Sequence, residues 1–154
     1  MGRVLFVFSC LLCGVALFQL HQVWASGPAY VGSKTCASCH EKQYANFSQY
    51  SKKAHSWESV AVMKPKLKEH ELKQCFECHT TGYGRPGGFV SFEATPALAD
   101  VGCETCHGPG AKHAATGDPK DIVRRPTAES CTSCHNPQRV ADFRFKPLIY
   151  SGAH

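Results

Sequence analysis

The sequence predicts a mainly α-helical domain with much irregular coil. Three observations predict it. The chain has 154 residues, the length of a single domain. One five-residue pattern of two cysteines and a histidine recurs four times, and each copy suits the end of a short helix or turn. The copies are close together, at 39, 28 and 28 residues from one first cysteine to the next, which leaves room for few long elements.

The chain opens with Met-Gly-Arg, then an almost wholly apolar run from Val4 to Leu20, then Val23-Trp24-Ala25 before Ser26-Gly27-Pro28. Charged, apolar and small-residue regions in that order make a secretory signal peptide, cut after Ala25. The alternative is an uncleaved anchor, since a span needs about 17–25 apolar residues. A lipid-modified Cys13 is disfavoured by the bulky Leu12 before it. Residues 1–25 are therefore read as the signal and residues 26–154 as the mature domain, periplasmic or extracellular. Membrane contact is expected only if the signal stays uncleaved.

Cys10 and Cys13 leave with the signal, so eight of ten cysteines remain. Eight cysteines in an exported chain ordinarily suggest disulfides. The spacing rejects that. The eight fall into Cys36-Ala-Ser-Cys39-His40, Cys75-Phe-Glu-Cys78-His79, Cys103-Glu-Thr-Cys106-His107 and Cys131-Thr-Ser-Cys134-His135. C-x-x-C-H is the attachment pattern of c-type haem. Two thiols add to the two vinyl groups of one porphyrin, so they sit about one helical turn apart. The histidine after the second thiol binds the iron from the proximal side. Zinc is the competing reading of paired cysteines, but it does not explain a histidine after every pair. Four covalently bound haem c groups follow, on Cys36, Cys39, Cys75, Cys78, Cys103, Cys106, Cys131 and Cys134, with iron ligands His40, His79, His107 and His135. The expected architecture is a small multihaem fold wrapped around four macrocycles, which form much of the core. The apo-chain has too little apolar mass to offset its conformational entropy.

Nine histidines are present. With His21 in the signal and four proximal ligands assigned, His55, His70, His113 and His154 remain, one for each distal position. Met63 is the only mature methionine that could compete. His107 serves its own haem. Gly108-Pro109-Gly110 ends that helix and reverses the chain. The turn is too tight for His113 to reach the opposite face of the same macrocycle, so His113 serves a neighbouring one. Tyr44, Phe47, Tyr50, Ala54 and Trp57 recur at helical steps and predict an amphipathic helix that runs through His55. His70 lies in the charged helical stretch Pro65-Lys-Leu-Lys-Glu-His70-Glu-Leu-Lys, which is also consistent with a solvated face. His154 follows the apolar tail of Phe143, Phe145, Leu148, Ile149 and Tyr150. Its partner haem lies in this molecule or in another. The glycine-rich segment from Gly82 to Gly88 lacks the context of a phosphate loop and reads as a turn. Phe89 to Phe92 then reads as a short strand, and Thr127 as the cap of the fourth motif's helix.

The formal charge of +5 comes from 17 basic and 12 acidic residues. Four haems add about eight negative propionate charges, partly offset by ferric iron. The holoprotein is then near neutral or mildly acidic. No basic run supports nucleic acid as a partner.

Together these residues resemble the tetrahaem cytochromes typified by the nitrifier electron acceptor of hydroxylamine oxidoreductase, the cytochrome c-554 type. The resemblance spans Val31 to His154. It rests on Gly-Ser-Lys-Thr-Cys36-Ala-Ser-Cys39-His40 with Ala54-His55, and on Cys75-Phe-Glu-Cys78-His79-Thr-Thr-Gly-Tyr-Gly84 with Gly87-Gly88. It extends through Val101-Gly-Cys103-Glu-Thr-Cys106-His107-Gly-Pro-Gly110 with His113, and ends on the fourth motif and the aromatic tail. It implies a mainly helical fold with haems in stacked and perpendicular pairs. His113 would ligate the first haem, His55 the third and His154 the fourth. The family's type member leaves its second haem without a distal ligand. This sequence departs there by placing His70 five residues before Cys75, and it is shorter between the fourth motif and His154.

One-electron transfer between redox proteins through bis-histidine haems is the leading functional reading. One alternative is a haem enzyme that reduces nitric oxide or a related nitrogen species at an open haem. Another is a subunit of an extracellular conducting filament, with His154 ligating iron in a neighbour. No catalytic acid or base can be assigned for the enzyme reading.

Overall fold

The computed structural model describes residues 29–140. The signal expected over residues 1–25 and the tail ending at His154 lie outside these residues. Among the described residues no helix is long and apolar enough to cross a membrane. The regular structure there is helical, joined by turns.

Helix α1 (Ser33–Cys36) carries the first motif into a turn, and α2 (Glu41–Tyr50) starts directly after His40. Glu41 sits in the first turn of α2, where its charge complements the helix dipole. The predicted helix through His55 is broken. Ser51 takes an extended backbone, φ −90° and ψ 120°, and its side chain accepts a hydrogen bond from the Lys53 amide. That local bond competes with the helical ladder. A 3-10 turn (Lys52–His55) follows, and α3 (Ser56–Met63) begins anew. Phe47 is buried, Trp57 is half-buried and Tyr50 is exposed, so the aromatic stripe divides between two helices.

The charged stretch after α3 is also split. Pro65 lies in a 3-10 turn (Lys64–Lys66), Leu67 is extended, and α4 (Glu69–His79) starts after Lys68. The Glu71 carboxylate reaches back to the Lys68 amide at 2.8 Å, satisfying a donor that the helix start would leave open. The remaining helices are short: α5 (Cys103–His107), α6 (Ala111–Thr116) and α7 (Glu129–Thr132). Helix α7 has no side-chain cap. Thr127 contributes its carbonyl, which accepts from the Ser130 amide at 3.1 Å, rather than the capping hydroxyl expected of it.

The apolar core is small and local. Val60 of α3, Phe76 of α4, and Phe89, Leu98 and Ala99 of the following loop are buried together, with Tyr30, Trp57, Leu72, Cys75 and Tyr83 against them. Phe76 meets Phe89 and Tyr83 edge to face at 5.2 and 5.3 Å, the favoured aromatic geometry. This core surrounds the second motif. Around the other three, few apolar side chains are buried, as expected of a chain that packs on macrocycles.

The turn predicted from Gly82 to Gly88 is present as two successive turns, Arg85 amide to Gly82 carbonyl and Gly88 amide to Arg85 carbonyl, each 3.0 Å. A Cβ on Gly88 would collide with the Gly82 carbonyl. The strand predicted for Phe89 to Phe92 does not form. Phe89 gives one amide bond to the Thr81 carbonyl at 2.9 Å. Then Thr95 closes the segment, its hydroxyl accepting from the Val90 amide at 2.9 Å.

Candidate haem-binding site

The first and fourth motifs fold alike. In each, the first cysteine's carbonyl accepts from the second cysteine's amide at 3.2 Å and from the histidine's amide at 2.9 Å. Cys36, Cys75 and Cys131 each point the thiol at the carbonyl four residues back, at 3.9, 3.8 and 3.9 Å. One helical turn therefore sets the spacing of both thiols and delivers the histidine. All eight thiols of the four motifs are free.

The thiols also report which motifs are neighbours. The Cys36 thiol bonds to Cys103, which pulls Cys103 down to about 6 and pushes Cys36 up. Burial, with help from Cys134, raises Cys78 to about 11, and the Cys134 thiol lies 3.9 Å from the Glu77 carbonyl. Burial chiefly raises Cys106, which also feels Cys131 and Cys134. In space the first motif meets the third, the third meets the fourth and the fourth meets the second, and a Thr105 to Thr81 hydroxyl bond at 3.2 Å also brings the segment after the second motif against the third. Chain order does not reveal this.

Three histidines are held by one ring nitrogen. The Nδ1–H groups of His79, His107 and His113 donate to the carbonyls of Ser56, Val123 and Asp118 at 3.0, 2.7 and 2.9 Å. A carbonyl can only accept, so Nδ1 carries a proton, and in the neutral ring that leaves the Nε2 lone pair for a metal. That is the arrangement of a metal-ligating imidazole. Val123 also donates its amide to the His107 carbonyl at 3.0 Å, so the pair is reciprocal. Burial, and then Lys53, hold His135 below the usual histidine range, which favours the neutral ring that a metal needs.

His40 and His113 come together from distant parts of the chain. Their ring centres are 6.2 Å apart and their planes differ by 25°. A metal–imidazole bond is about 2 Å, with the ring centre roughly 1 Å behind its nitrogen. Two imidazoles on opposite faces of one iron thus have centres roughly 6 Å apart. With paired thiols, oriented rings and this spacing, the residues fit haem c.

His55 sits differently. Its Nε2–H donates to the Ser48 carbonyl, 2.8 Å away, and its Nδ1 is 3.5 Å from Glu58. His70 is exposed on α4, the same helix as Cys75, Cys78 and His79. His154 lies outside the described residues.

Sequence reasoning missed a set of buried polar residues between the motifs. Glu104, inside the third motif, is only 2% exposed. Its carboxylate accepts from the amides of Val31, Gly32 and Gly110 at 3.0, 2.7 and 2.6 Å. The Ser56 hydroxyl donates to the His79 carbonyl and accepts from the Val101 amide, both at 2.9 Å. The Thr81 hydroxyl donates to the Asp100 carbonyl and accepts from the Gly102 amide at 2.6 and 2.8 Å. The only signal in the sequence was an acidic residue between two haem cysteines.

The family model described as "Cytochrome c554 and c-prime" matches residues 35–108, the stretch that holds the first three motifs. Cytochrome c-554 of Nitrosomonas europaea is 29% identical over 169 residues, covering 84% of this chain and 68% of that one. The structure of reduced cytochrome c554 from the same organism matches with a TM-score of 0.59 at 25% identity, covering 84% of this chain and 86% of that one. Motifs, ring geometry and fold agree: the chain is similar to the cytochrome c-554 type, and it is a c-type cytochrome of electron transfer that binds haem c covalently.

Proposed function

We propose that this protein is an exported tetrahaem carrier of single electrons, working between redox partners outside the cytoplasm. Haem c, when bound, supplies the one-electron couple. The chain's residues fix each macrocycle by two thioethers, hold imidazoles on the iron and keep neighbouring motifs in contact. His40 and His113 take the first iron, His107 and His55 the third, and His135 and His154 the fourth. His79 takes the second. Paired imidazoles favour lower potentials than a histidine–methionine pair. The order of the motifs in space supports a continuous path of short hops.

The observation that carries this reading is the 6.2 Å separation of the His40 and His113 rings. For His55, ligation through Nε2 requires giving up the Ser48 carbonyl. The signal-like segment over residues 1–25 supports export.

A second reading is favoured at the second motif. His70 and His79 share one continuous helix, separated along its axis by roughly 13 Å at 1.5 Å per residue. A rigid helix attached to one face of a ring cannot also offer a ligand to the other. On this reading His70 stays in solvent and the second iron has an open position that accepts a small molecule such as nitric oxide.

Electron paramagnetic resonance of the oxidised, haem-loaded protein tests both, at high and low concentration, with and without nitric oxide. Low-spin signals from every iron, insensitive to nitric oxide and to dilution, give a pure relay. One high-spin iron that responds to nitric oxide at all concentrations gives the open second site. A high-spin signal that appears only on dilution means that neighbouring molecules supply a ligand, which moves a filament to first place.

A further inference from the structure

The Glu104 carboxylate is the buried acidic group among the described residues. It sits inside the third motif, yet its partners belong elsewhere. Val31 and Gly32 lead into α1 and the first motif, and Gly110 leads into α6, which carries His113. One side chain thus ties the segment that presents His40 to the segment that presents His113. Its oxygens accept from the Val31, Gly32 and Gly110 amides, the pattern of an ionised carboxylate. Its charge is felt at the Cys36 sulfur.

We infer that Glu104 is a positioning residue for the first haem, clamping His113 opposite His40, and that its buried negative charge holds that haem's potential low. The inference rests on the proposed His40 and His113 ligation. Net charge near the iron and burial are two of the levers by which a protein sets haem potential. A charge shielded from water acts at longer range than one in solvent. A negative charge stabilises the ferric form over the ferrous.

The test is a potentiometric titration of haem-loaded wild type, Glu104→Gln and Glu104→Asp, followed by optical and electron paramagnetic resonance spectra. Glu104→Gln removes the charge and sets an amide N–H against a backbone N–H. It is expected to raise the reduced-to-oxidised ratio of one haem about tenfold at a fixed poise, about 59 mV for one electron, and to broaden that haem's low-spin signal. Glu104→Asp keeps the charge and is expected to stay within about twofold of wild type. An unchanged potential in Glu104→Gln, or an equal shift in both variants, overturns the inference.

If Glu104→Gln does not mature, wild type still decides. In a redox-difference infrared spectrum with isotope-labelled glutamate, a carboxylate band protected from deuterium exchange is expected to shift when the haems are reduced. Absence of that shift overturns the inference. The underlying ligation stands or falls separately, on whether wild type shows the low-spin signal of near-parallel imidazoles.

Discussion

Ser56 and His79 bond to each other twice. The Ser56 hydroxyl donates to the His79 carbonyl at 2.9 Å, and the His79 Nδ1–H donates to the Ser56 carbonyl at 3.0 Å. Ser56 directly follows His55, so this contact joins the histidine of the second motif to the histidine proposed as a ligand at the third.

Replacing Ser56 by alanine separates the two bonds. The ring keeps its carbonyl partner, so the ligation spectrum of the second haem should not change. The His79 carbonyl and the Val101 amide lose the hydroxyl. Leaving such buried groups unpaired costs about 1–3 kcal/mol. Denaturant unfolding followed at the Soret band should show a lower midpoint with an unchanged starting spectrum. A changed starting spectrum would mean that the hydroxyl, not the carbonyl, orients the ring.

His113→Ala should convert one haem of the loaded protein to high spin and leave the others low-spin. The near-parallel rings, 25° apart, predict that the lost signal is rhombic. Perpendicular imidazoles give a strongly axial one. A wholly low-spin variant removes His113 from the ligand set.

Gly88→Ala should be among the most damaging changes outside the motifs. Its Cβ would collide with the Gly82 carbonyl, a backbone atom that cannot rotate away. A cost above about 2 kcal/mol follows from such overpacking. Limited proteolysis should then cut between residues 80 and 95. Gly84→Ala keeps open space around its Cβ but pays for a positive φ, so it should be milder.

Asp100 gives a pH dependence with a defined sign. Burial raises its carboxyl above the ordinary aspartate value of 3.8, opposed by the hydrogen bond from the Trp57 amide. A raised carboxyl favours folding below 3.8 and loses that contribution as pH rises through its folded value. Asp100→Asn keeps an oxygen for the Trp57 amide and removes the half-buried charge. The variant should therefore be more stable than wild type at pH 7, with the difference closing as pH falls below 3.8. Thermal unfolding of the holoprotein at several pH values checks this.

The motifs were legible because covalent chemistry fixes their spacing. Gly108-Pro109-Gly110 suggested that His113 turns away from His107, and the structure sets its ring 6.2 Å from that of His40. The split of the aromatic helix at Ser51 was not legible, since the apolar period runs on through the break, where Ser51 takes an extended backbone and its hydroxyl accepts from the Lys53 amide. Glu104 was hidden for a related reason. Its partners are amides of Val31, Gly32 and Gly110, and amides carry no side-chain signature. The spatial order of the motifs depends on contacts such as Cys36 with Cys103, which spacing along the chain does not encode.

These contacts have a consequence for how the chain could be divided. The first and second motifs are complete by His79, and the third and fourth follow Gly102. The ligation proposed above crosses that boundary: His113 reaches back to the first motif, and His55 reaches forward to the third. A chain cut between residues 80 and 100 would then leave neither piece able to finish the first or the third site, so the two halves should take up low-spin haem there only when they are together.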